Sequence, residues 1–183
     1  EVSDYKPNTS DFYSRRTARR TSYFFSTGVN TDYDNRYEAY NSDMRQGAYG
    51  NDGAAKLSSI VDGTSNTLVM GEGAGGRWKT STHYGPWGLT GTHTCCHGRI
   101  VATIKNSVVS PTPTEAQQWA INARWPGDAL GRSYAWGFNS LHTGGAQFAY
   151  GDGSVHFIAQ TIDYPTLCYL SYIHDGNVAQ ANQ

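Results

Sequence analysis

The chain has 183 residues and a formal net charge of −1, with 38% apolar and 16% charged residues. That balance excludes a charge-rich disordered chain and provides no global field to recruit nucleic acid or an anionic membrane. No apolar run approaches the roughly 18–20 residues needed to span a bilayer, while 21 glycines and 13 tyrosines favour one turn-rich, β-rich domain of secreted or surface type.

Residues 1–20 read as a polar lead-in or linker ending in the basic run Arg15, Arg16, Arg19 and Arg20, a pattern typical of a solvated face. The start lacks an apolar signal core, which leads to the expectation that upstream sequence has been removed or lies outside this stretch. A glycosylation sequon stands at Asn8-Thr9-Ser10. TSYFFSTG, residues 21–28, reads as a strand closed by glycine. Residues 29–56 hold no sustained period and read as a long loop with short elements at most. Asp32, Asp34 and Asp52, with further oxygens from Asn35 and Asp62, are calcium candidates, because calcium takes six to eight oxygen ligands from flexible loops. NTDYDN lacks the later glycine and glutamate of an EF-hand, and such loops commonly carry no ion, so no cofactor is the default reading.

In LSSIVDGTSNTLVMGEG, residues 57–73, Asp62-Gly63 is a turn signal that Thr64, Ser65 and Asn66 can brace through side-chain to backbone bonds. A strand over 67–71 follows, with Glu72 at its end. Residues 73–98 are too glycine-rich for a helix. Within them, Cys95-Cys96-His97 and His93 supply zinc-type ligands, yet adjacent cysteines point apart and no second C-x-x-C exists. C-C-H also lacks the C-x-x-C-H spacing of haem attachment. The preferred reading is a disulfide from Cys168 to Cys95 or Cys96, the alternative being buried thiols.

RIVATIKNSVV, residues 99–109, reads as a strand, followed by a short helix over 115–123 capped by Thr114 with Glu115 near its positive end. Strands follow near 133–138, 146–150 and 154–159, the last two joined by the hairpin signal Gly151-Asp152-Gly153. Alternation assigns Phe148, Tyr150, Val155 and Phe157 to the buried face and Ala149, Ser154 and His156 to the outward one. Residues 164–177 read as a helix with Leu167, Leu170 and Ile173 on one face, His174 in the last turn and Gly176 as terminator.

A His–Asp pair within 140–158 suggests catalysis, but no nucleophile is placed to use it and no G-x-S-x-G occurs. Turn chemistry explains Asp152 and Gly153, and His142 is expected to brace the hairpin turn near Asp152. Trp78, Trp87, Trp119, Trp125 and Trp136 suit sugar platforms, although scattered tryptophans more often serve cores.

Two stretches then combine. SSIVDGTSNTLVMGE at 58–72 holds Asp62, Gly63, Asn66 and Glu72, and FNSLHTGGAQFAYGDGSVHFIAQTID at 138–163 holds His142, nine residues, then Asp152-Gly153. Together they resemble the paired signatures of a bacterial pilin-like family, domain of unknown function 1559, abundant in planctomycetes. The resemblance covers roughly residues 20–178, so the division becomes lead-in 1–20, domain 21–178 and polar tail 179–183. It implies an α+β fold like a pilin head, with a mostly antiparallel sheet, short helices and long glycine-rich loops. It further implies a structural, non-enzymatic subunit of an extracellular or cell-surface filament or pseudopilus, self-associating into a homopolymer or with a companion pilin subunit. Members begin with a prepilin peptide and a long hydrophobic helix that anchors them in the inner membrane; residues 1–183 hold no such helix, so membrane attachment is expected only through one supplied upstream. The competing classes are a secreted glycan-binding module and, behind it, a hydrolase.

Overall fold

The computed structural model describes residues 2–4, 16–19, 21–30, 35–80 and 96–179. Near the start, β1 (Val2–Asp4) pairs antiparallel with β2 (Arg16–Arg19). The central sheet is built from β3 (Tyr23–Ser26), β6 (Leu68–Glu72), β7 (His97–Gly98), β10 (Gly145–Tyr150) and β11 (Val155–Ala159), in the order β11-β10-β6-β3-β7. All its pairings are antiparallel except β3 with β7. Two small hairpins, β4 (Tyr49–Gly50) with β5 (Gly53–Ala54) and β8 (Ile104–Lys105) with β9 (Val108–Val109), lie outside it. Helices α1 (Pro113–Trp119) and α2 (Tyr164–Ser171) complete an α+β domain.

The core lies on one face of the sheet. Across β3, β6 and β10 the inward row is Phe24, Gly71 and Phe148. Gly71 has no side chain because Phe148 and Phe138 occupy the space above it, with those two rings 5.1 Å apart at 62°. Between Ala149 and Tyr150 the register with β6 slips, so Val69 is an extra residue and Leu68 still turns inward. Leu167, Cys168 and Leu170 of α2 and Trp119 of α1 join the same core. Tyr164 and Tyr172 reach zero or near-zero exposure by donating their hydroxyls to the carbonyls of Val101 and Ile100 at 2.8 and 3.1 Å.

Several expected elements are corrected. Helix α1 starts earlier: Thr112, not Thr114, is the cap, with Glu115 at the third position closing a capping box and Pro113 at the first. Helix α2 ends at Ser171, because Tyr172 is extended; His174 and Gly176 belong to the turns beyond it. The expected strand 99–109 is instead the short hairpin β8–β9, turned at Asn106 and Ser107 with φ of 49° and 61°. Residues 133–138 form turns with a bridge from Ser133 to Lys79 rather than a strand.

The β10–β11 hairpin forms where expected, but with different faces. Its three-residue loop sets Phe148 opposite His156 and Ala149 opposite Val155. Val155 and Phe157 therefore point outward, 61% and 42% exposed, while Ile158 is buried. The assignment of Val155 and Phe157 to the core assumed the other parity, and one residue in the loop exchanges the two faces of a strand.

Candidate functional site

The two ends of the β6–β10 pair gather most of the residues singled out in the sequence. At one end, Glu72 closes β6 with its side chain largely buried. Its Oε2 accepts the main-chain N–H of Gln147 at 2.7 Å, and its Oε1 lies 3.2 Å from Nε2 of His142. Asn139 runs alongside: its N–H donates to the Glu72 carbonyl at 3.1 Å, and its carbonyl accepts from Ala74 at 2.9 Å. Ser140 Oγ accepts the main-chain N–H of His142 at 3.0 Å and makes no hydrogen bond to the imidazole, so no hydroxyl–imidazole pair forms there.

The expected brace between His142 and Asp152 is not formed. Six-residue β10 lies between them, a separation of roughly 17–20 Å at about 3.3 Å per residue. Asp152 instead closes its own turn, its Oδ1 accepting from Ser154 N–H at 2.9 Å and Ser154 Oγ–H at 2.7 Å. Those bonds hold the Asp152 carboxyl below its ordinary value. Gly153 takes φ of 87°, a conformation that favours glycine.

That turn docks on the earlier block. Gly151 and Asp152 donate N–H groups to the carbonyls of Thr67 and Thr64 at 3.0 and 3.1 Å. The block braces itself as the sequence suggests: Asn66 Nδ2 donates to the Asp62 carbonyl at 3.3 Å, Thr67 Oγ1 to that of Gly63 at 3.1 Å, and Gly63 has φ of 96°. The Asp62 carboxylate faces elsewhere, accepting N–H from Asp175 at 2.9 Å and Gly176 at 3.1 Å. Burial pushes the pKa of Asp62 up, and pushes that of Asp175 up to about 6, with the Asp62 charge adding to the second effect.

The other sequence candidates separate from these. Cys168 is a buried free thiol, so the expected disulfide to Cys95 or Cys96 is absent. The sulfur sits among the hydroxyls of Tyr164 and Tyr172, and burial raises its pKa to about 12. Burial likewise raises Cys96 to about 11. Asp52 pairs with Arg36 at 3.1 Å on the surface, and among the described residues no group of three His, Cys, Asp or Glu gathers to hold a metal. Asn8, Asp32, Asp34, Trp87, His93 and Cys95 lie outside the described residues. Trp119 and Trp136 are buried, with the Arg99 guanidinium 4.9 and 5.8 Å from their rings, so they serve the core. Trp78 alone among the described tryptophans is well exposed, at 41%.

Beside the Glu72–His142 contact opens a cleft of about 640 Å³ lined by Tyr23, Glu72, Arg77, Trp78, Asn139 and His142 among others. A second hollow of about 820 Å³, reaching Asn122, Arg124 and Gln160, shares Arg77, Trp78, Asn139, Ser140 and Leu141 with it. Arg77, Arg124 and Asn139 carry no motif, and only folding brings them together. Lys79 was also not singled out: its ammonium is buried, donating to the carbonyls of Tyr134 and Gly137, and burial takes its pKa well below the lysine value.

These features define a small α+β domain whose two sequence blocks tie one strand pair together at both ends. The chain belongs to the family described as protein of unknown function DUF1559, whose profile matches residues 2–164. No curated protein and no solved structure gives a significant match. Both blocks lie inside the matched stretch, whereas Asp175 and Gly176 lie beyond it.

Proposed function

We propose that this chain is the non-catalytic head of a self-assembling, pilin- or pseudopilin-like subunit acting outside the cell or at its surface. The observation that carries the reading is strand β11, which ends the sheet with no partner on its outer side among the described residues and presents Val155 and Phe157 to solvent. Proteins ordinarily blunt such edges with charge, proline or a bulge. Val155–Ala159 contains no proline or Lys, Arg, Asp or Glu, and its register with β10 is regular. On the same outward face the rows continue through Ala149, Met70 and Phe25, and through Gln147, Glu72 and Tyr23. A second copy adding a strand here would satisfy the unpaired backbone groups and cover the apolar side chains.

The Glu72 carboxylate supports a structural role, since both its oxygens are engaged in holding β10 and the 139–142 segment. Among the described residues no helix is long and apolar enough to cross a membrane. In this reading, membrane attachment belongs to an N-terminal helix encoded upstream or to a companion subunit. Sedimentation velocity and negative-stain microscopy over a concentration series test assembly. The chain should form ordered oligomers or filaments, and Val155→Lys with Phe157→Lys should return it to monomer; a wild-type chain that stays monomeric at high concentration would sink the reading.

A further inference from the structure

The two hollows share five lining residues and so form one two-lobed groove around Trp78 and Leu141. Its charge is one-sided. Arg77 lies 4.7 Å from the Trp78 ring centroid and Arg124 folds over Gly131, and neither has a carboxylate partner among the described residues. Other arginines are neutralised: Arg132 by Asp128 at 2.6 Å, Arg45 by Asp43 at 2.9 Å and Arg36 by Asp52 at 3.1 Å. The carboxylate in the lining, Glu72, is already taken up by Gln147 and His142.

Exposed apolar surface lines the same groove. Tyr23, Trp78, Leu141 and Leu130 are all well exposed on the rim. At the junction of the lobes, Asn139 is 5% exposed and its Oδ1 has no hydrogen-bond partner, an unsatisfied group of the kind that costs free energy unless something completes it. Two guanidiniums and exposed ring surfaces lining one groove suit a chain of pyranose rings bearing carboxylates. Guanidinium meets carboxylate with two parallel bonds, and aromatic rings cover the apolar faces of the sugars. Nucleic acid fits less well, because two cations on a chain of net charge −1 neutralise few phosphates.

We propose that the groove binds an acidic polysaccharide, with Arg77 and Arg124 taking uronate carboxylates and Trp78 and Tyr23 contacting the rings. This binding uses the groove residues and does not require self-assembly. The test is electrophoresis through native gels cast with polygalacturonate, dextran or dextran sulfate, using a Val155→Ser/Phe157→Ser background, which removes the apolar edge side chains without adding cations to the face that Tyr23 and Glu72 share. Polygalacturonate should retard the protein, added salt should weaken the effect, and dextran should leave mobility unchanged. Arg77→Gln with Arg124→Gln should weaken retention at least tenfold, while Arg36→Gln, on an exposed pair elsewhere, should not. Unchanged mobility in polygalacturonate, retention that survives the double substitution, equal retention by dextran, or tighter retention by dextran sulfate would each overturn the proposal.

Discussion

Nε2 of His142 lies 3.2 Å from Oε1 of Glu72, at the opposite end of β10 from Asp152. The histidine and Asp-Gly of the later block therefore act separately. His142 meets the end of the earlier block, and the Asp152 turn docks on its beginning, at Thr64 and Thr67. The antiparallel pairing of β6 and β10 makes this crossed arrangement unavoidable: the residues before β10 lie beside the end of β6, and those after it beside the start.

The two partners in that contact should contribute unequally. Glu72→Ala leaves the Gln147 N–H without its acceptor, and an unsatisfied buried donor costs about 1–3 kcal/mol. His142 is 59% exposed, so His142→Ala removes a contact that is largely open to solvent and should cost about 0.5 kcal/mol or less. Urea unfolding of both variants and the double variant measures this. Equal losses for the two single variants would show that the imidazole, rather than the Gln147 bond, is what Glu72 provides.

Gly71 should tolerate no side chain. A Cβ there would overlap the rings of Phe148 and Phe138, both buried in the sheet face. Gly71→Ala therefore overpacks the centre of the core, a change that costs about 1–3 kcal/mol. A thermal or chemical unfolding midpoint equal to wild type would mean that the rings move aside freely.

Cys168 should behave as a protected thiol. It is fully buried against Tyr164 and Tyr172, and its pKa is raised to about 12, so it has little thiolate at neutral pH. Iodoacetamide at pH 8 should leave Cys168 unmodified in the native chain and label it after denaturation, as read by peptide mass mapping. Reductant should leave the unfolding midpoint unchanged as far as Cys168 is concerned. Rapid native labelling of Cys168 would contradict its placement.

Local chemistry made the hairpin turn, the Asp62-Gly63 turn and the two short helices legible, because glycine, proline and capping side chains act over a few residues. What depends on register was less accessible. Val155 and Phe157 alternate correctly with their neighbours, yet their face is set by the three-residue loop and the pairing with β10. The end of α2 was hidden for a similar reason: Ile173 stands at helical spacing from Leu167 and Leu170, but Tyr172 is already extended and Ile173 is buried from a bend beyond the helix. The cleft was only partly legible: Glu72 and His142 belong to the two blocks, but Tyr23, Arg77 and Arg124 come from distant segments without a motif. The Glu72–His142 contact was half legible: both residues stood out, but not their partnership.

The Asp62–Asp175 contact should give stability a distinctive pH dependence. Asp175 is partly buried, its Oδ2 has no hydrogen-bond partner, and its pKa is raised to about 6, first by burial and then by the charge of Asp62. His174, whose Nε2 lies 3.0 Å from the Asp43 carbonyl, acts oppositely on Asp62 by favouring its charged form. In the unfolded chain Asp175 titrates near the ordinary aspartate value of about 3.9. Between about pH 4 and 6 the folded chain therefore holds more protons than the unfolded one at this site, and its contribution to stability falls as pH rises through that window. Asp175→Asn keeps an oxygen for the Asn177 N–H, bound at 2.8 Å, and removes the charge. It should be more stable than wild type at pH 7 by on the order of 1 kcal/mol, less than the full linkage value because the group retains some solvent access. The difference should shrink towards pH 4, where wild-type Asp175 is protonated in the folded chain. Urea midpoints of both proteins at pH 4, 5, 6 and 7 decide it, because carboxylates common to both cancel in the difference. A variant less stable at pH 7, or a difference that does not change with pH, would mean that Asp175 is held for its charge and that Asp62 is not a repulsive neighbour.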